Sequence, residues 1–277
     1  MANDRGIKEG ILAHRGSKIH YWRLKQKNAP CLVFTHGATL DHKMFDPQIP
    51  TLASAGYSIL TWDMRGHGLS KPIGANFTLK QVTDDLLFLL DSLEIRQVIL
   101  IGHSFGGFVT QEFTRQHPER VKALCLIGCT DLAARPSVMM RIASKILPRL
   151  LPLFSVKNFQ KRTLENLSEK ESVVNYAVDT TNLLSKEEFI EIIMAGVECL
   201  GFDSGYGHGY IIPMPFLLTH GERDKANEGI FSRNGPKWAE KEPNCTYQVV
   251  PDAGHTANQD NPEVFNQILL EFLNKIK

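Results

Sequence analysis

The chain has 277 residues, of which 43% are hydrophobic and 22% charged, the make-up of an ordinary globular protein with a sizeable core, so disorder is excluded. Its 31 basic and 30 acidic residues leave a net charge of +1, too weak a field to steer nucleic acid or an anionic membrane, and the expected partner is a small, neutral molecule. Five cysteines (Cys31, Cys125, Cys129, Cys199 and Cys245) lack CxxC spacing, residues 1–10 hold no apolar stretch, and no run reaches membrane-spanning length, which together predict a reducing, cytoplasmic setting.

In chain order, residues 19–25 read as a strand and residues 31–35 (CLVFT) as a buried strand ending at His36-Gly37. Residues 58–62 form the next strand. Thr78 with Gln81 is a capping-box signature, and Val82, Leu86, Leu89, Leu90 and Leu93 follow at helical spacing. Residues 97–101 (QVILI) predict another buried strand, then a helix over 105–117 that Pro118 stops, then a strand over 121–127. Between Asp131 and Tyr210 the rhythm changes to a helical insertion without a clear strand. Within it Ser185 and Glu188 make a second capping box, with Phe189, Ile192, Ile193 and Val197 on one helix face. The late strands are residues 215–219 and 246–250, and the last helix opens with Asn261 as cap and Pro262 at its first position.

This alternation predicts one α/β domain, a mostly parallel sheet with helices on both faces. Its core is residues 1–130 and 211–277, and its insertion about 131–210. Binding sites in such sheets lie at the carboxyl ends of the strands, which brings the loops after Ile101, Thr219 and Val250 to one edge.

Gly102-His103-Ser104-Phe105-Gly106 fits GxSxG between a predicted strand and a predicted helix, the context that motif needs. Such a turn strains and exposes the serine, the flanking glycines leave room for it, and the N–H of Phe105 points where an oxyanion would form. A serine hydroxyl needs a base to take its proton, and His255, after the last strand, is the candidate of choice among ten histidines. His36, His67, His103 and His220 read as polar turn residues. The orienting acid is expected between serine and histidine in the chain; Asp224 is placed best, with Asp131 and Glu222 as rivals. Ala38, in the turn after residues 31–35, is expected to give the second oxyanion donor through its N–H. No HExxH, paired cysteine ligands or phosphate loop occurs, so no metal, nucleotide or other cofactor is implied.

His36-Gly37, the stretch Asp63-Met64-Arg65-Gly66-His67-Gly68-Leu69-Ser70, Gly102 to Gly107, Gly221 to Asp224 and Gly254-His255 resemble the signature of the α/β-hydrolase superfamily, in its order. The resemblance implies an eight-stranded sheet and a helical lid, and it leaves Asp63 to Ser70 a structural role, Asp63 and Arg65 tying neighbouring loops. Relatives that open epoxides or displace halide carry aspartate where Ser104 stands, which argues against both chemistries. The expected activity is therefore a serine hydrolase acting on a small, apolar carboxylic ester. The same triad also serves C–C bond, lactone or amide hydrolysis and perhydrolysis, and some similar proteins are small-molecule receptors or signalling proteins.

The lid's Met139, Met140, Leu147, Leu150, Leu151 and Phe154 suggest an apolar pocket, most of them serving as packing. Residues 141–154, with Lys145 and Arg149 among leucines, have the composition of a membrane-surface helix. Pro148 and Pro152 are expected to break it, so membrane contact is not expected. The sequence carries no sign of the oligomeric state.

Overall fold

A computed structural model describes residues 6–136, 138–150, 164, 166–201, 209–226 and 230–276. Its centre is an eight-stranded sheet in the order β1-β2-β4-β3-β5-β6-β7-β8. The strands are β1 (Lys8–His14), β2 (Ser17–Leu24), β3 (Cys31–Thr35), β4 (Ser58–Trp62), β5 (Val98–His103), β6 (Val121–Ile127), β7 (Phe216–Gly221) and β8 (Cys245–Val250). β2 runs antiparallel to β1 and β4, and all pairings from β4 to β8 are parallel. Every residue of β3 and β4 is buried, as central strands covered on both faces require.

The helices divide the apolar side chains of these strands into two cores, because successive residues of a strand point to opposite faces. On one face Val33, Leu60, Leu100, Leu124 and Leu218 meet α2 (Leu79–Ser92) and α3 (Phe105–Gln116). On the other, Phe34, Ile59, Ile101, Ile127 and Leu217 meet α1 (Ile49–Ser54) and the C-terminal helix Pro262–Lys275. The caps form as expected: Thr78 accepts from the N–H of Gln81 at 3.1 Å, and Asn261 from that of Val264.

The described part of the segment after Asp131 holds three helices, α4 (Val138–Leu150), α5 (Glu171–Asn182) and α6 (Lys186–Gly201). Ser185 and Glu188 form the reciprocal capping box at the start of α6, at 2.9 and 3.1 Å. Its buried side runs through Phe189, Ile192, Ala195 and Cys199 rather than Ile193 and Val197, which stay half-buried. Pro148 does not break α4. It stands two residues from the end, where it removes only a last-turn backbone bond. Met139, expected to pack or line a pocket, is solvent-exposed. Leu151, Pro152 and Phe154, and the side chains of Met140, Leu147 and Leu150, lie outside the described residues.

The fold also contains elements without a strong sequence signal, namely β1, α1, α7 (Ile230–Ala239) and α8 (Ala257–Asp260). α9 is the C-terminal helix Pro262–Lys275. No helix among the described residues is long and apolar enough to cross a membrane.

Candidate active site

Ser104 joins β5 to α3 with φ +50° and ψ −116°, a backbone state that costs an L-residue about 1–3 kcal/mol. Its N–H donates to the carbonyl of Ile127 at 2.9 Å, and its own carbonyl accepts from Gly107 N at 2.9 Å. The turn backs directly onto β3: a Cβ at Gly106 would lie 2.2 Å from the Thr35 carbonyl oxygen and 2.4 Å from that of His36. Only glycine allows this approach. Ser104 itself remains partly accessible.

The loop after β8 brings His255 to the same edge, where its Nδ1 lies 3.0 Å from Asp224 Oδ2 on the loop after β7. The Asp224 side chain is fully buried and that of His255 nearly so. Asp224 Oδ1 accepts from the N–H of Ala226 at 2.9 Å. Burial opposes ionisation of Asp224, yet the charge and hydrogen bond of His255 and the Ala226 N–H outweigh it and hold the carboxyl below its ordinary range. An ionised Asp224 accepts a hydrogen bond from Nδ1–H, which keeps the proton on Nδ1 and leaves the His255 Nε2 lone pair free to act as a base.

Ser104 and His255 converge on the end of β6. Ser104 is bonded to Ile127, and a Cβ on the next residue, Gly128, would lie 2.8 Å from His255 Nδ1. His103 fastens the two loops, its Nε2–H donating to the His255 carbonyl at 3.1 Å while its ring lies 4.7 Å from that of His255. Burial, with the nearby His255 charge, pushes His103 down to about 3, so it remains neutral.

The turn after β3 carries Ala38 and is held by two more buried, neutral histidines. His36 donates from Nδ1 to the Gly37 carbonyl at 2.8 Å and accepts from Met64 N on Nε2 at 2.9 Å. His67 donates from Nδ1 to the Arg65 carbonyl and accepts on Nε2 from Thr39 N at 3.1 Å, beside Ala38. Burial lowers both, His67 to about 3. Gly37 brings this turn against the serine, since a Cβ there would lie 3.4 Å from Ser104 Cβ. Ala38 follows Gly37 in this turn, and Phe105 is the first residue of α3, where a backbone N–H has no partner within the helix. Asp63 accepts from His42 N, His42 Nδ1 and Leu69 N, each at 2.8 Å, and Arg65 makes a buried bidentate pair with Asp85 at 2.6 Å. These ties brace the loops from below.

Sequence reasoning did not single out Asp260. Its Oδ2 accepts from Gly254 N at 2.7 Å, next to His255, and Oδ1 accepts from the Ser168 hydroxyl. On the other side of His255, Thr256 N donates to the Leu167 carbonyl at 3.1 Å. The helical segment therefore grips the histidine loop from both sides. It also meets the turn after β3, where the Tyr176 hydroxyl donates to Asp41 Oδ1 at 2.7 Å, and α6 reaches Phe105, with a Cβ at Gly196 lying 3.9 Å from that ring.

The rivals lie elsewhere. Asp131, raised by burial, accepts from Ala133 N and lines a cavity with Gln111, Glu112, Tyr210 and Glu242, and Glu222 accepts from Asp252 N on the surface. His220 is occupied by Tyr247 and the Gly221 carbonyl. An open groove of about 390 Å³ lies at the opposite, amino ends of the strands, bordered by Arg23, Glu94, Gln97 and Lys122. Neither concavity is lined by Ser104, Asp224 or His255. No group of three or more His, Cys, Asp or Glu among the described residues is arranged to hold a metal ion.

A family model for the α/β hydrolase fold matches residues 30–262. A non-heme chloroperoxidase of Kitasatospora aureofaciens is 28% identical over an aligned length of 264, with the match covering 88% of this chain and 92% of that protein. Bifunctional epoxide hydrolase 2 of Mus musculus is 25% identical over 98% of this chain, and the match spans 56% of that protein. Among solved structures, an esterase from Exiguobacterium antarcticum superposes with a TM-score of 0.80 at 20% identity, over 95% of this chain and 98% of its own, a likeness of fold.

Proposed function

The chain belongs to the α/β-hydrolase family, and on that premise we propose that it is a serine hydrolase cleaving a small, apolar carboxylic ester through an acyl-enzyme. The observation that carries this reading is the buried His255–Asp224 pair at 3.0 Å, on loops that abut the strained Ser104 turn. In this reading His255 Nε2 takes the Ser104 proton as Oγ attacks the ester carbonyl. The tetrahedral oxyanion is held by the N–H groups of Ala38 and Phe105, whose positions the neighbouring histidines and glycines fix before substrate arrives. Collapse expels the alcohol, which receives the proton from His255; water then gives a proton to His255 as it attacks the acyl carbonyl, and collapse releases the acid and returns that proton to Ser104 Oγ. Asp224 holds the imidazole in the Nδ1–H tautomer and balances the imidazolium as it forms.

Helices α4 to α6 act as a lid in this reading, because α6 touches Phe105 and α5 touches the oxyanion turn through Asp41. A serine at position 104, in place of the aspartate that the superfamily resemblance associates with epoxide opening, supports acyl transfer over that chemistry. The test is turnover of short and medium acyl nitrophenyl esters beside lactone, amide, peroxide-plus-acid and diketone substrates. Ester turnover that disappears in Ser104→Ala supports the proposal. Turnover confined to another substrate class keeps the triad and replaces the ester, and turnover of none of them by the wild type overturns the enzyme reading.

A further inference from the structure

Large apolar side chains exposed on the described surface are mostly scattered singly, with one exception. Val138, Met139, Ile142 and Ile146 of α4 are 72%, 79%, 53% and 45% exposed. At 100° per residue these four fall within an arc of about 100°, so they form one stripe along the helix. Lys145 and Arg141 stand at its edge, both exposed, and Arg135 is exposed just before the helix. The charge pattern of this part of the chain is one-sided: residues 132–164 contain seven Lys or Arg and no Asp or Glu. In a chain with a net charge of only +1, the stretch that carries this apolar stripe is thus wholly cationic in its charged residues.

We propose that this face of α4 seats on an anionic lipid surface, with the stripe at the acyl boundary and the flanking Lys and Arg on the lipid phosphates. The combination of an aliphatic face, a cationic border and no acidic residue is what adsorption in the plane of an anionic interface requires. A protein partner is the poorer occupant, since residues 132–164 contain no Trp or Tyr, the aromatic side chains most enriched at protein interface anchors. The expected obstacle, a break at Pro148, is absent because the helix continues to Leu150. The helix lies flat in this arrangement and does not span. The other side of α4 packs on α6, which in turn touches Phe105 beside Ser104, so the seated face is the outer layer above the Ser104 edge. The binding itself is independent of the reaction catalysed.

The test is co-sedimentation of the full chain with phosphatidylglycerol–phosphatidylcholine vesicles and with pure phosphatidylcholine vesicles, at low and high salt, beside sizing of the protein alone. Expected are binding to the anionic vesicles only and its decline with salt. Arg141→Gln with Lys145→Gln is expected to weaken it by about thirtyfold, the share of two cations near a charged surface. Ile142→Ser with Ile146→Ser weakens it through the apolar stripe, and unchanged melting temperatures show that both variants are folded. Equal binding to neutral vesicles, no binding to either, or binding indifferent to both variants overturns the proposal. So does a wild-type dimer that Ile142→Ser with Ile146→Ser converts to monomer, which would make the stripe a contact between two copies.

Discussion

The carboxyl edge of the sheet and the outer face of α4 handle their side chains in opposite ways. At the sheet edge polar groups are buried and each of His36, His67 and His103 is tied to a named backbone atom, so a few side chains fix loops from three distant parts of the chain. On α4 the apolar groups Val138, Met139, Ile142 and Ile146 face outward, and Arg141 and Lys145 are exposed beside them. The first arrangement trades solvation for geometry, which suits chemistry at a fixed point. The second gives up burial energy that a self-sufficient helix would collect, which suits a surface completed by something else.

The comparison breaks most visibly in kinetics. His255→Ala and Asp224→Asn are expected to lower kcat roughly 10⁴-fold or more while the fold persists, checked by ester turnover and circular dichroism. Stability separates the two regions next. Phe113→Ala, in the fully buried core under α3, should cost about 3–5 kcal/mol in urea unfolding, whereas Ile142→Ala on the exposed stripe should change stability by less than about 0.5 kcal/mol. A large cost at Ile142 would mean that the stripe is packed rather than open.

Asp260 sharpens the account because it touches no reacting atom and holds Gly254 beside His255. Asp260→Ala is expected to reduce kcat about 10²-fold with little change in KM, as loss of alignment does, and Asp260→Asn to retain more of the rate. An equal rise in KM would instead point to a disturbed contact between the histidine loop and Ser168. The pH dependence of stability tests the buried histidines. Burial lowers His36, His67 and His103 in the folded protein, the latter two to about 3. The unfolded chain protonates them near an ordinary value of about 6.5, so it binds more protons in the window between. Stability therefore falls as the pH drops from about 6.5 toward 3, by roughly 1.4 kcal/mol per pH unit for each of His67 and His103, and His36 acts in the same direction. Urea titrations across that range check the slope, which His67→Gln should lower by one histidine's share. The smallest effect is expected at the strained serine: Ser104→Gly should be more stable than Ser104→Ala by about 1 kcal/mol, since glycine accepts φ +50° without a Cβ clash. Paired thermal melts would show it.

The central strands were legible because burial on both faces forces continuous apolar runs, and the observed β3, β4 and β6 have the bounds that the sequence suggested. β1 was not, since an edge strand such as KEGILAH buries little and alternates weakly. The same contrast holds at the site. Ser104, Asp224 and His255 announce themselves through a strained turn and through loops that follow strands. The backbone contacts of His67 with Thr39 and of Asp260 with Gly254 join residues whose side-chain types carry no positional signal, so only the folded chain reveals them. α7 was silent for another reason, with Pro236 inside it and no apolar period long enough to register.

The most direct test of the central claim is a fluorophosphonate reaction followed by peptide mass mapping of the adduct. The account predicts a rapid, stoichiometric adduct on Ser104 in the wild type, slowed severely in His255→Ala and absent in Ser104→Ala. An adduct on a different serine, or equal labelling of the wild type and His255→Ala, would contradict it.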